Sequence, residues 1–308
     1  RDVEREAQGQ ELFLAAGAES GHFESAAHDM GREFGAVAAL WTALPSDAAG
    51  LTVEAQVSRD GLSWGPWQAL VRDDLGAERA PEAPSHSELM FERGRYVRLR
   101  VTLNKGPAAA GPRLKALKLV AIDASEGPTA PDSRIALAVG DSAPPAPPPV
   151  ISRAAWGANE AYMTWPPEYA PVTHFVIHHT ATSNASADAD PYQVVRTIYY
   201  YHAVTLGWGD IGYNFLVDRQ GRIYEGRYGG DRVIGGHARP YNRGTVGVAV
   251  LGDYTPSAPG SEVPPGAALG LEKLLHWKCA YHGVDPLASS WIYDRTLPNI
   301  MGHRDCNQ

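Results

Sequence analysis

Histidine is placed unevenly along this chain: three of the 11 (His22, His28, His86) precede residue 150 and eight follow it. His178 and His179 close the apolar run His174-Phe175-Val176-Ile177-His178-His179, which reads as a buried strand. Successive strand side chains point to opposite faces, so only one of this pair can aim at a given site. A further imidazole, His303, stands in Gly302-His303-Arg304-Asp305, where a loop could bring it in from a distant part of the chain. Zinc accepts histidine nitrogen, thiolate or carboxylate, and a catalytic site uses three protein ligands and leaves a fourth position for water. Taken alone, a histidine is more often hydrogen-bonded in a core than bound to metal, and spacing does not separate the two readings.

The elements that would hold these residues belong to a chain of 308 residues, long enough for about two domains with a core each. Gly 32 and Pro 24 signal many loops, which argues against a long all-helical fold. A net charge of -8 argues against nucleic-acid binding, and no apolar run approaches the roughly 18 residues a membrane-spanning helix needs. No initiator Met or apolar signal core precedes the first domain, so the sequence reads as a mature or trimmed form. Residues 124–149 are rich in Ala, Ser, Gly and Pro and end in Ala143-Pro144-Pro145-Ala146-Pro147-Pro148-Pro149, a stiff spacer between domains 1–123 and 150–308.

Before the spacer, Leu51–Val57 and Tyr96–Leu103 alternate with period two. Val97, Leu99, Val101 and Leu103 share one face, and Arg98 and Arg100 the other, which predicts half-buried strands of an all-β, jelly-roll-like sandwich. Trp64 and Trp67 could form a flat platform for sugar rings or, more commonly, plug the sandwich or its rim. After the spacer the pattern becomes mixed α/β, a sheet flanked by helices. Asp190-Pro191 predicts an N-cap and first-turn proline for a helix through Val194, Val195, Ile198 and Tyr201. A hairpin of Tyr213–Val217 and Arg222–Glu225 turns at Asp218-Arg219-Gln220-Gly221, and Val246–Leu251 reads as a central strand. Leu271, Leu274, Leu275, Lys278 and Cys279 recur at helical spacing up to a stop at Gly283.

Six stretches in this second half together resemble one family, that of the peptidoglycan recognition proteins and type 2 N-acetylmuramoyl-L-alanine amidases. They are Ile151-Ser152-Arg153-Ala154-Ala155-Trp156-Gly157-Ala158, Phe175–Ala181, Gly207–Phe215, Gly221–Arg227, Gly235-Gly236-His237-Ala238 and Gly302–Asp305, in family order over about residues 151–308. The resemblance implies a zinc site with His178 and His303 as ligands, His179 turned away, and Tyr213 beside the metal-bound water. It implies hydrolysis of the amide between N-acetylmuramic acid and L-alanine: zinc lowers the pKa of its water toward about 7, hydroxide attacks the lactyl carbonyl, and the stem-peptide amine departs. Glu225 is a candidate general base. In this family a Gly-Trp pair before Asp-Ile-Gly-Tyr accompanies meso-diaminopimelate in the stem peptide, and Gly207-Trp208 is that pair. Arg243 falls where diaminopimelate-binding members carry an arginine, and a guanidinium fork suits the extra carboxylate. His202, Asn214 and His237 match other groove positions. The implied partner is a diaminopimelate-type muropeptide, met outside the cytoplasm.

The family's third zinc ligand, usually a cysteine eight residues after the second histidine, would fall past Gln308, as would a threonine or lysine two residues before it. Within the sequence, Cys306 could join His303 on a metal, remain a buried free thiol, or pair with Cys279. The pairing is the favoured expectation; it would close a loop of about 26 residues, stabilise by roughly 3 kcal/mol, and signal an oxidising, extracytoplasmic location.

Overall fold

The structure is a computed structural model that describes residues 3–5, 11–44, 50–73, 84–106, 111–130, 146–256, 258 and 260–307. It divides into two compact units, one within residues 1–123 and one from residue 124 onward. Of the Pro/Ala-rich spacer, residues 131–145 lie outside the described residues.

The first unit is all-β. One antiparallel sheet runs Val3–Arg5, Leu12–Leu14, Arg113–Ile122, Ala36–Leu44, Ser85–His86. The other runs Ser20–Glu24, Gly94–Asn104, Leu51–Ser58, Gln68–Ala69, with His28–Phe34 also paired to Gly94–Asn104. Val97, Leu99, Val101 and Leu103 are buried and pack with Val53, Ala55 and Val57 of their own sheet and Val37, Ala39 and Trp41 of the other, the sandwich core that the alternation predicts. Trp64 and Trp67 are not part of that core. They lie on the outer face, where the Arg98 guanidinium sits 4.4 Å from the Trp64 ring and 5.4 Å from Trp67, and Arg100 sits 4.1 Å from Trp67. This interleaving ties the turn after Ser58 to the sheet through cation–π contacts.

The second unit is built on a six-stranded mixed sheet in the order Val150–Ile151, Ile223–Glu225, Phe215–Val217, Thr245–Val250, His174–His179, Ile300–Gly302. Only the hairpin Phe215–Val217 with Ile223–Glu225 is antiparallel. Its turn is closed by the buried Asp218 carboxylate, which accepts from the Gln220 and Arg222 amides and from the Tyr224 hydroxyl at 2.6 Å. The strand begins at Phe215, two residues later than the pattern predicts. Backbone bonds continue at Asn214, whose N donates to Gly247 O and whose O accepts from Gly226 N, and its side chain adds two more, Oδ1 accepting from Gly247 N (2.9 Å) and Nδ2 donating to Val233 O (2.8 Å).

The strand His174–His179, between Thr245–Val250 and the edge strand Ile300–Gly302, is buried on both faces. Phe175 and Ile177 point into a core with Val246, Val248, Leu274 and Cys279, under the helix Pro265–His282. Val176 points to the opposite face, into a core with Ala238, Tyr241, Ile292, Met301 and Cys306. The expected Cys279–Cys306 disulfide is therefore corrected: both thiols are free and buried, each in a core on a different face of one sheet. Cβ atoms must approach within about 4 Å to be bridged, and a sheet between them prevents it. Burial pushes the Cys306 thiol up to about 11, so it is the neutral, packed form.

The helix Pro191–Tyr200 starts as its sequence predicts: Asp190 accepts from Gln193 N at 3.1 Å, and Pro191 fills the first turn. It then widens into a π-helical turn, Tyr201–Thr205, which carries His202. Such turns displace side chains from the regular helical positions and are common at functional sites.

Candidate functional site

The side chain of His178 shares a face with Val176, and the three elements around it each bring one ring. The neighbouring parallel strand Ile300–Gly302 leads straight into His303, whose ring centroid lies 4.5 Å from that of His178. The segment before Phe215 brings Tyr213, 5.3 Å away. The loop Gly235-Gly236-His237 brings His237, whose Nδ1 is 3.1 Å from His178 Nε2. His237 Nε2 lies 3.3 Å from the Thr245 hydroxyl, which donates to the Tyr241 carbonyl at 2.6 Å. The ring is fixed from the backbone side as well: the amides of His237 and Ala238 both donate to Asn242 Oδ1, at 2.8 and 2.7 Å. Space for it comes from Gly247 on the central strand, where any Cβ would overlap the imidazole.

Both inner rings are neutral. Burial holds the His178 imidazole well below its usual range, helped by His237, His303 and His179, and burial with His303 and Arg227 pushes His237 down to about 3. Neutral imidazole is the form that coordinates a metal. Among the described residues no group of three His, Cys, Asp or Glu side chains is arranged to hold a metal ion. The site contributes two nitrogen donors, His178 and the half-buried His303. Cys306, three residues on, is turned into the core instead.

His179 faces the other way, accepting from Tyr254 N at 3.2 Å. His202 is buried and accepts from Gly212 N at 3.1 Å, its ring 4.6 Å from the half-buried Trp208 and 5.5 Å from Tyr213. Gly207, in the left-handed region at φ 69°, is exposed and lets the chain turn into Trp208. Asn214, as described, spends both side-chain polar atoms on backbone. Arg243 is exposed and has no ion pair among the described residues. Glu225 is not gathered into the histidine cluster; its carboxylate accepts from Arg153 N at 3.2 Å.

Three further residues hold the site from beneath, and their motifs were visible in sequence without a role. Arg153 donates to Asp210 at 3.0 Å and to both oxygens of Glu160 at 2.9 and 2.8 Å. Asp210, fully buried, also accepts from Ile211 N and Tyr228 N, so it ties the Gly207–Gly212 loop to the segment after Glu225. Arg227 stacks on Trp165 at 3.9 Å and donates to Ile211 O.

Residues 168–308 match the family model described as N-acetylmuramoyl-L-alanine amidase. Peptidoglycan recognition protein 1 of Bos taurus is 32% identical over 162 residues, which cover 52% of this chain and 75% of that protein. This chain belongs to the peptidoglycan recognition and type 2 amidase family. Peptidoglycan-recognition protein SC2 of Drosophila melanogaster is 41% identical over 106 residues, 34% of this chain and 55% of that protein, so the match spans about half of that relative's length. Among solved structures, peptidoglycan recognition protein LE in complex with tracheal cytotoxin, a monomeric diaminopimelic acid-type peptidoglycan, aligns with 29% identity over 51% of this chain and 84% of that one, with a TM-score of 0.41. The family match covers five of the six strands of the mixed sheet, all but Val150–Ile151, and includes His178, Tyr213, His237 and His303.

Proposed function

We propose that this family member is a zinc-dependent N-acetylmuramoyl-L-alanine amidase acting on diaminopimelate-type peptidoglycan. The observation that carries the reading is the pair of imidazoles, His178 on one strand and His303 just after the neighbouring parallel strand, with ring centroids 4.5 Å apart and the Tyr213 ring beside them. Their donor chemistry fits zinc, which His178 and His303 would hold. Bound there, zinc would supply Lewis acidity toward the amide carbonyl and toward water. Tyr213 places a phenol beside the reacting amide, where it donates a hydrogen bond to the oxyanion as it develops. On this reading residues 150–308 form the hydrolase, residues 1–123 an accessory domain and 124–149 the link. No helix of the described residues is long and apolar enough to cross a membrane. With both thiols free, an extracytoplasmic location rests on the substrate alone.

A second reading, non-hydrolytic peptidoglycan binding, is favoured by one observation, that the described residues hold no third donor. One experiment separates the two: the zinc content of the purified full chain, measured with release of free stem peptide from diaminopimelate-type sacculi. Near-stoichiometric zinc with release is expected; retention on sacculi with neither zinc nor release would leave binding as the function.

The substrate class rests on Gly207, Trp208 and Arg243. Arg243→Ala is expected to weaken binding of diaminopimelate muropeptides roughly tenfold, the scale of one charge-assisted hydrogen bond at an exposed site. Lysine-type muropeptides, which lack that carboxylate, should be little affected in the same titration; equal losses would remove the argument from carboxylate recognition.

A further inference from the structure

The hydrogen bonds behind His178 form a line with one consistent assignment of protons. At its far end the Thr245 hydroxyl lies 2.6 Å from Tyr241 O and 3.1 Å from Asn242 O. Carbonyl oxygens only accept, so the single hydroxyl proton points at them; without it, two bare oxygens would face each other at 2.6 Å. The Thr245 oxygen is then an acceptor toward His237, and the hydrogen bond between them requires a proton on His237 Nε2. A neutral ring with that proton has a bare Nδ1, and Nδ1 is the atom 3.1 Å from His178 Nε2. His178 must therefore carry its proton on Nε2 and donate it. Its Nδ1 is left with a free lone pair and no hydrogen bond among the described residues, on a ring that faces His303.

We infer that His237 and Thr245 are positioning residues: through the line His178–His237–Thr245–Tyr241 carbonyl they fix the His178 tautomer and reserve Nδ1 as its coordinating atom. Metal-ligating histidines commonly donate their second nitrogen to a carboxylate or carbonyl. Here a second imidazole takes that place and passes the requirement on to a threonine, so a chain of neutral groups replaces a buried charge. His237, matched by the family pattern to the peptide groove, on this inference also acts behind the metal ligand. The inference deepens the amidase reading and rests on it only for the metal, since the tautomers are a property of the metal-free chain.

Long-range proton–nitrogen correlation spectra of the metal-free full chain, labelled with ¹⁵N at histidine, read the tautomers directly. His178 and His237 should both be Nε2–H forms. Thr245→Val removes the acceptor, so His237 should move its proton to Nδ1, His178 should follow, and zinc affinity should fall about 10–100-fold. Thr245→Ser should restore both the tautomers and the affinity. An Nδ1–H form of His178 in the unaltered chain would overturn the inference. So would tautomers that ignore Thr245→Val, or a serine variant that behaves like the valine one, which would reduce Thr245 to a packing role. If the unaltered chain takes up no zinc while its tautomers are as expected, the hydrolase reading falls and the line stands.

Discussion

His178→Ala should abolish zinc uptake and lower stem-peptide release by at least about 10³-fold, whereas His179→Ala, one residue further on, should retain both within a few-fold. The rate figure follows from removing one of the two described donors, without which no Lewis acid is held against the amide. The contrast follows from strand geometry. His178 is buried on the face that gathers His237, His303 and Tyr213, while His179 is about a third exposed on the other face and contacts Tyr254 and Asp253. Metal content by elemental analysis and release of free stem peptide from sacculi give the two readouts. Circular dichroism should show both variants folded, since Val176 and Phe175 keep their cores. Similar losses from the two variants would mean that the strand does not divide the pair as described.

The largest effect on stability is expected from Arg153→Met, about 3–5 kcal/mol, because it strands a buried carboxylate. Arg153 is 3% exposed and Asp210 is fully buried. Burial alone would weaken the Arg153 charge, but Glu160 and Asp210 outweigh it and raise the guanidinium above its usual value. Replacing the arginine with a chain of similar volume leaves the buried Asp210 carboxylate with the Ile211 and Tyr228 amides and the more distant Arg227 charge but without its hydrogen-bonded ion-pair partner, and breaking a buried pair from one side is the costly case. The Gly226 carbonyl, which Arg153 also holds, loses its donor. Chemical denaturation followed by far-UV circular dichroism measures the loss. The double variant Arg153→Met with Asp210→Asn should recover a good part of it, because the stranded charge is gone; additive losses would show that the pair is not coupled.

The period-two alternation of Tyr96–Leu103 was legible because valine and leucine fill one face while Arg98 and Arg100 stand on the other, and the sheet buries the apolar face as the pattern implies. The central strand was legible for the opposite reason, a continuous apolar run being the mark of a strand covered on both sides. The histidine pair and His303 could be named as candidates from residue type, and the motifs in order raised them above structural histidines. Less of the support could be read. Thr245 is an ordinary strand residue until the Tyr241 and Asn242 carbonyls fix its hydroxyl, and nothing in local sequence says that they will. Asn214 and Asn242 likewise act on backbone groups set by loops whose shape is decided by tertiary contacts. The hairpin Ser289–Ile292 with Arg295–Pro298 was not anticipated; its strands are short and half-exposed, without a sustained alternation. The disulfide expectation failed because sequence separation measures loop length and is blind to which face of the sheet a helix and a terminal turn will cover.

The strand Ile300–Gly302 lies at the edge of the sheet, is among the last described elements of the chain, and among the described residues pairs only with His174–His179. It enters in parallel, so no hairpin turn can guide it, and its partner strand lies about 120 residues earlier in the sequence. The imidazole pair thus depends on a contact between segments far apart in the chain. A partly folded species that lacks this pairing carries His178 without His303, so metal occupancy would report that the two segments have come together.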